Sequence, residues 1–89
     1  MAKVIPVVGE PYEVQPKNGK FFELEELQKI VEGYIEIVRL DNGKLMVVNE
    51  EGKLAGLPFN EIATAIYQKY RGFDCIVGNV IISNKHEIR

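Results

Sequence analysis

The side chains able to do covalent or metal chemistry are few and scattered along the chain. Cys75 stands between Asp74 and Ile76 at the head of an apolar run, without the neighbouring base or positive field that would activate a thiol. It reads as core. His86, the sole histidine, lies between Lys85 and Glu87, and one histidine with one distant cysteine does not make a zinc ligand set. Hard oxygens occur in Asp41-Asn42-Gly43 and Asn49-Glu50-Glu51-Gly52, but neither run has the alternating ligands and terminal glutamate of a calcium loop. Turn chemistry accounts for both. Glu23, Glu25 and Glu26 sit where a helix start favours negative charge. Gly56-Leu57-Pro58 has none of the Lys-Ser/Thr or G-x-G-x-x-G context of a phosphate cradle. The expectation is a non-enzymatic protein with no catalytic residue, metal site or cofactor.

Two segments carry binding potential. Tyr67-Gln68-Lys69-Tyr70-Arg71 interleaves aromatics with cations, as single-strand nucleic-acid surfaces do. It is also an ordinary helix end, where cations meet the negative end of the dipole. Asn49 to Asn60 gathers amides, glutamates, a lysine and glycines around Leu54, Leu57, Pro58 and Phe59, a mixture suited to a ligand or partner surface. A hairpin turn followed by a helix cap explains the same residues structurally.

Composition narrows the field. With 11 Lys and Arg against 13 Asp and Glu, a net charge of −2 and a pI near 5.4, there is no whole-domain basic field for duplex nucleic acid. No run approaches the ~20 apolar residues of a membrane helix, and Met1 to Gly9 lacks the form of a secretion signal. One cysteine excludes an internal disulfide framework and fits a reducing compartment, so a cytoplasmic location is expected. Eighty-nine residues, 46% of them hydrophobic, are enough for one domain with its own core and too few for two.

The elements that must position these residues follow from periodicity and turn signals. Lys3 to Val8 and Tyr12 to Gln15 read as a hairpin around Gly9-Glu10-Pro11, with Pro6 arguing for an edge or a bulge. Leu24, Leu27, Ile30 and Val31 have helical spacing, with Gly33 as the residue that closes the helix. Tyr34 to Leu40 and Lys44 to Val48 form a second hairpin across Asp41-Asn42-Gly43. In the next turn Gly52 takes the left-handed position, and Leu54-Ala55 is a candidate short strand. Asn60 caps a second helix whose buried face is Phe59, Ile62, Ala63, Ile66 and Tyr70, and which Gly72 ends. Asp74 to Ser83 is one buried strand, or a small hairpin if Gly78-Asn79 turns.

The expected fold is α+β, in the order β-β-α-β-β-α-β, with one mainly antiparallel sheet and two helices on one face. It is grasp-like if the first and last strands pair in the centre. Residues 1–83 form the domain and 84–89 a frayed polar tail.

The stretch Gly33-Tyr34-Ile35-Glu36-Ile37-Val38, then Val47-Val48-Asn49-Glu50-Glu51-Gly52-Lys53-Leu54, then Gly56-Leu57-Pro58-Phe59-Asn60 with Ala63, resembles a small domain family of unknown function, family 3846. The likeness spans about two-thirds of the chain and includes Gly78 in the terminal apolar segment. The first twenty residues and those after Ser83 match poorly. The resemblance implies an accessory protein of bacteriophages, plasmids or conjugative elements, living in the bacterial cytoplasm, and it implies no reaction. The residues that match and carry binding potential are Tyr34, Glu36, Asn49, Glu50, Glu51, Lys53 and Asn60.

The resulting expectation is an interaction protein whose Asn49 to Asn60 surface engages a host or element protein. The rival readings are a sequestering protein for a nucleotide signal of host defence, and a single-stranded nucleic-acid binder using Tyr67, Lys69, Tyr70 and Arg71. A homodimer is expected because Ile76, Val77, Val80, Ile81 and Ile82 leave the last strand apolar on both faces.

Overall fold

A computed structural model of the chain describes residues 2–40, 43–71 and 74–88, and the side chains of all of these except 70 and 71. The elements run β1 (Ala2–Ile5), β2 (Tyr12–Val14), α1 (Leu24–Val31), β3 (Ile35–Arg39), β4 (Lys44–Asn49), α2 (Glu61–Arg71), β5 (Val80–Asn84) and a 3-10 turn at Lys85–Glu87. The five strands form one sheet in the order β2-β1-β5-β4-β3, and every pairing is antiparallel. The α+β architecture is therefore the expected one. The first and last strands do meet in the centre of the sheet, as the grasp-like condition requires, and they meet antiparallel.

The helices lie on opposite faces, not on one. Val4, Val47 and Ile81 pack with Leu27 and Val31 of α1. Their chain neighbours Ile5, Met46, Val48 and Val80 pack with Ala63 of α2. Because successive strand side chains point to opposite faces, a run such as Leu45-Met46-Val47-Val48, buried throughout, needs a cover on each side. Each such Val or Ile contributes about 1.5–3 kcal/mol on burial. Here one helix covers each face.

Several local expectations are corrected. Pro6 follows the last residue of β1, and β1 pairs on both sides, so the proline ends an inner strand instead of marking an edge. Leu54-Ala55 lies within a run of turns from 51 to 56. The left-handed residue there is Gly56, at φ 73°. Gly52 is buried, and it is glycine because a Cβ there would sit 2.8 Å from the Val77 side chain.

α1 closes on Glu32, at φ 67°, and not on Gly33. The second helix buries Ala63 and Thr64, with Ile66 and Tyr67 partly covered, while Phe59 and Ile62 are exposed. Tyr70's side chain, Gly72 and the Asp41-Asn42 part of the second hairpin lie outside the described residues. Gly43 has the positive φ expected of that turn.

Asp74 to Ser83 is neither one strand nor a hairpin. Val77 makes an isolated bridge to Phe59, Gly78 turns the chain at φ 78°, and β5 begins at Val80. Residues 84–88 are not frayed. Asn84 ends β5, Glu87 is buried, the Phe22 N–H donates to the Glu87 carbonyl at 2.7 Å, and Ile88 bridges Phe22. The capping pair Asn84 and Glu87 closes the turn on itself, and Glu87 and Ile88 tie it through Phe22 to the segment that enters α1.

Candidate functional site

β4 ends at Asn49, and the next eight residues wrap into a compact loop above the α2 face of the sheet. The Asn49 carbonyl accepts from Gly52 N–H at 3.2 Å, the Glu51 carbonyl from Ala55 N–H at 2.8 Å, and the Gly52 carbonyl from Leu57 N–H at 3.0 Å. The Asn49 side chain anchors this loop at its root. Its Nδ2 donates to the Val31 carbonyl at the end of α1, and its Oδ1 accepts from Glu51 N–H, at 3.0 and 2.8 Å. Gly33 is glycine for the same reason, since a Cβ there would stand 2.7 Å from Asn49 Nδ2.

Between this loop, β3 and the segment leading to β5 lies a cleft of about 210 Å³. Val38, Val48 and Ile76 floor it, Tyr67 of α2 and Cys75 contribute walls, and Glu36, Glu50, Glu51, Lys53 and Asp74 bring charge to its lining. Lys53 Nζ donates to Asp74 Oδ1. That contact raises the lysine above its ordinary pKa and, with the Cys75 N–H that also donates to Asp74, holds the aspartate below its own. Both groups are exposed, so the pair is a tie across the cleft mouth and a minor contributor to stability. With Lys53 so engaged, Glu36, Glu50 and Glu51 meet no cation among the described residues. The site is acidic.

The cleft thus gathers Glu36, Asn49, Glu50, Glu51 and Lys53 from the residues expected to bind. Tyr34 is 66% exposed just before β3 and does not line it. Asn60 is buried and structural. Its Nδ2 donates to the carbonyls of Ile5 and Gly78, both at 2.9 Å, and its Oδ1 accepts the Ala63 N–H at 3.0 Å. One amide thereby caps α2 and fastens it to the end of β1 and to the turn before β5.

Asp74, Cys75 and Tyr67 were not expected at such a site. Cys75 is half-buried in the cleft wall and not in the core. Only the opposite charges of Lys53 and Asp74 hinted at their meeting, and charge alone selects no pair twenty-one positions apart. Lys69 is exposed on α2, and the side chains of Tyr70 and Arg71 lie outside the described residues. His86 is exposed on the 3-10 turn. Among the described residues, no set of three His, Cys, Asp or Glu side chains is arranged to hold a metal ion, and no helix is long and apolar enough to cross a membrane.

A two-faced antiparallel sheet, with an acid-lined cleft at one end of its α2 side, defines a small α+β domain. The chain belongs to the family described as Domain of unknown function (DUF3846), whose model matches residues 2–87. The match takes in the first strands and the 3-10 turn, well beyond the stretch that carries the resemblance in the sequence. No curated protein and no solved structure matches it.

Proposed function

We propose that this domain is a non-enzymatic interaction module that engages a host or element protein through the cleft side of the Asn49 to Lys53 loop. The observation that carries the reading is the convergence of Glu36, Asn49, Glu50, Glu51 and Lys53 on one cleft beside an edge strand. The cytoplasmic, mobile-element setting implied by the resemblance belongs to the same proposal. The genes neighbouring its own test that part. A second copy is not needed to cover β5, since α1 and α2 already cover its two faces, and the apolar character of that strand does not call for a dimer.

Nucleotide sequestration within this cleft is the weaker reading. The cleft holds about 210 Å³ against roughly 300–1,000 Å³ for usual small-molecule sites, and its surplus carboxylates repel phosphate. The same repulsion weakens the case for single-stranded nucleic acid at Tyr67.

A photo-crosslinking residue placed at Glu51 in cells of the source organism should capture a specific protein, whereas one at Glu13 on β2 should not. Equal capture at both positions, or none at Glu51, overturns the proposal.

A further inference from the structure

Among the described residues β3 has β4 on one side and no strand on the other. The phase of its hydrogen bonding can be read from the two ends of the hairpin, where Glu50 N–H donates to the Tyr34 carbonyl and Leu40 N–H to the Lys44 carbonyl, each at 2.8 Å. In an antiparallel ladder, residues that exchange bonds with the partner alternate with residues that turn away. The unbroken register from Ile35↔Asn49 to Arg39↔Leu45 therefore turns Tyr34, Glu36 and Val38 toward β4. It leaves the backbone N–H and carbonyl groups of Ile35, Ile37 and Arg39 pointing out of the sheet. Neither proline nor a bulge interrupts this stretch, and its one cation, Arg39, stands at the far end of the strand and leaves Ile35 to Val38 without the usual devices that blunt an edge.

We infer that the outer edge of β3 docks an extended basic segment of another protein, which joins the sheet as a sixth strand. This rests on the protein-binding reading above and names the partner's chemistry. The side chains fix that chemistry through the two faces of the incoming strand. On the α1 face it would lie against Ile37, which is 43% exposed and calls for an apolar neighbour. On the α2 face it would lie against Glu36 and the cleft, where Glu36, Glu50 and Glu51 outnumber a lysine already held by Asp74. Opposite charges directly across a pair of strands stabilise it, and like charges do the reverse.

The occupant is thus a strand alternating apolar and basic residues. A second copy fits less well. Two β3 strands paired about a two-fold axis through Ile37 would put both Glu36 side chains and both acidic clefts on one face, adding carboxylate to carboxylate.

The test uses the full chain, labelled for amide-resolved NMR and titrated with a synthetic heptapeptide alternating Lys and Val, in parallel with its Glu-Val counterpart. Saturation with the Lys-Val peptide should slow hydrogen exchange about tenfold or more at Ile35, Ile37 and Arg39, and leave Glu13 of β2 unchanged. The Glu-Val peptide should bind at least about tenfold more weakly. Binding of the Lys-Val peptide should fall as salt rises.

Ile37→Pro, which removes an outward N–H, should abolish docking. Glu36→Lys, an exposed change that leaves the fold intact, should weaken Lys-Val docking and narrow the difference between the two peptides. Equal affinity for the two peptides, no binding of Lys-Val at millimolar concentration, or a dimer whose β3 amides are already protected without peptide would each overturn the inference. If the peptide perturbs Glu50 and Glu51 but leaves the outward β3 amides exchanging as before, strand addition fails and the interaction reading stands. That reading falls separately if crosslinking from Glu51 captures nothing.

Discussion

β2 and β3 end the same sheet at opposite sides, and they are finished differently. β2 is the three-residue strand Tyr12–Val14, with Pro11 before it and Pro16 just beyond, a length and setting that offer a visiting strand little to pair with. β3 is the five-residue strand Ile35–Arg39, without proline, with an exposed isoleucine and with an acidic cleft at its flank. The segment after β2 is tied to α1, because Glu26 Oε1 accepts the Lys17 N–H at 3.0 Å while its Oε2 accepts the Glu23 N–H at 2.8 Å. The two ends of the sheet are therefore unequal as sites for strand addition. One edge is closed by local covalent and hydrogen-bond devices, and the other keeps its backbone groups available.

The largest effect expected from breaking this comparison is at β3 itself. Val38→Pro deletes an N–H that bonds to β4 and should cost about 3 kcal/mol or more in urea unfolding, whereas Ile37→Pro, one position along, should cost about 1 kcal/mol, because its N–H points outward. Equal losses would mean that the phase is wrong and the edge is not open at Ile37.

Next is the support that both edges share. Asn60→Ala leaves the Ile5 and Gly78 carbonyls and the Ala63 N–H without their buried partner, with an expected loss of about 2–4 kcal/mol. The β2 and β3 amides should lose exchange protection together. Loss confined to one edge would show that the edges are supported independently.

Gly78→Ala should cost about 1–3 kcal/mol, since it combines a φ of 78° with a Cβ 2.8 Å from Leu57. A neutral result would remove the kink from the list of reasons that β5 starts where it does.

The smallest effect sharpens the contrast through pH. The Glu23 and Lys17 amides hold the Glu26 carboxyl below its ordinary pKa. A lowered folded-state value means that the stabilisation is present above the unfolded pKa and disappears as pH falls through the folded one. Acidification below the ordinary glutamate range should therefore loosen the Lys17 amide. Glu26→Gln should abolish that acid sensitivity and cost about 0.5–1 kcal/mol. The outward amides of β3 depend on no such carboxylate and should show no matching acid step.

Much of the frame was legible in the sequence because it is written in local rules. The hairpin of β3 and β4, the helix at Leu24–Val31 and the cap at Asn60 rest on periodicity, turn residues and capping, all set within a few positions. The segment Asn49 to Lys53 stood out for the same reason, and five of the seven residues expected to bind do line one cleft: Glu36, Asn49, Glu50, Glu51 and Lys53. Asn60 carried two expected roles, helix cap and binding residue, and only the cap is realised, because its side chain is buried away from the cleft. An amide that caps a helix and one that meets a ligand look alike in sequence, and only the carbonyls of Ile5 and Gly78 arriving beside it tell them apart.

By itself, then, the sequence determined the α+β class, the order of elements and the polar loop after β4, because hydrophobic period and turn chemistry act over short spans of chain. Only the folded chain shows that the helices cover opposite faces, that Asp74 and Cys75 complete the cleft, that residues 84–88 are packed, and that β3 has no outer neighbour strand among the described residues. Each of these depends on segments far apart in the chain meeting in space. The strands are apolar on both faces whichever helix lies where, so their pattern demands two covers without saying which helix takes which side.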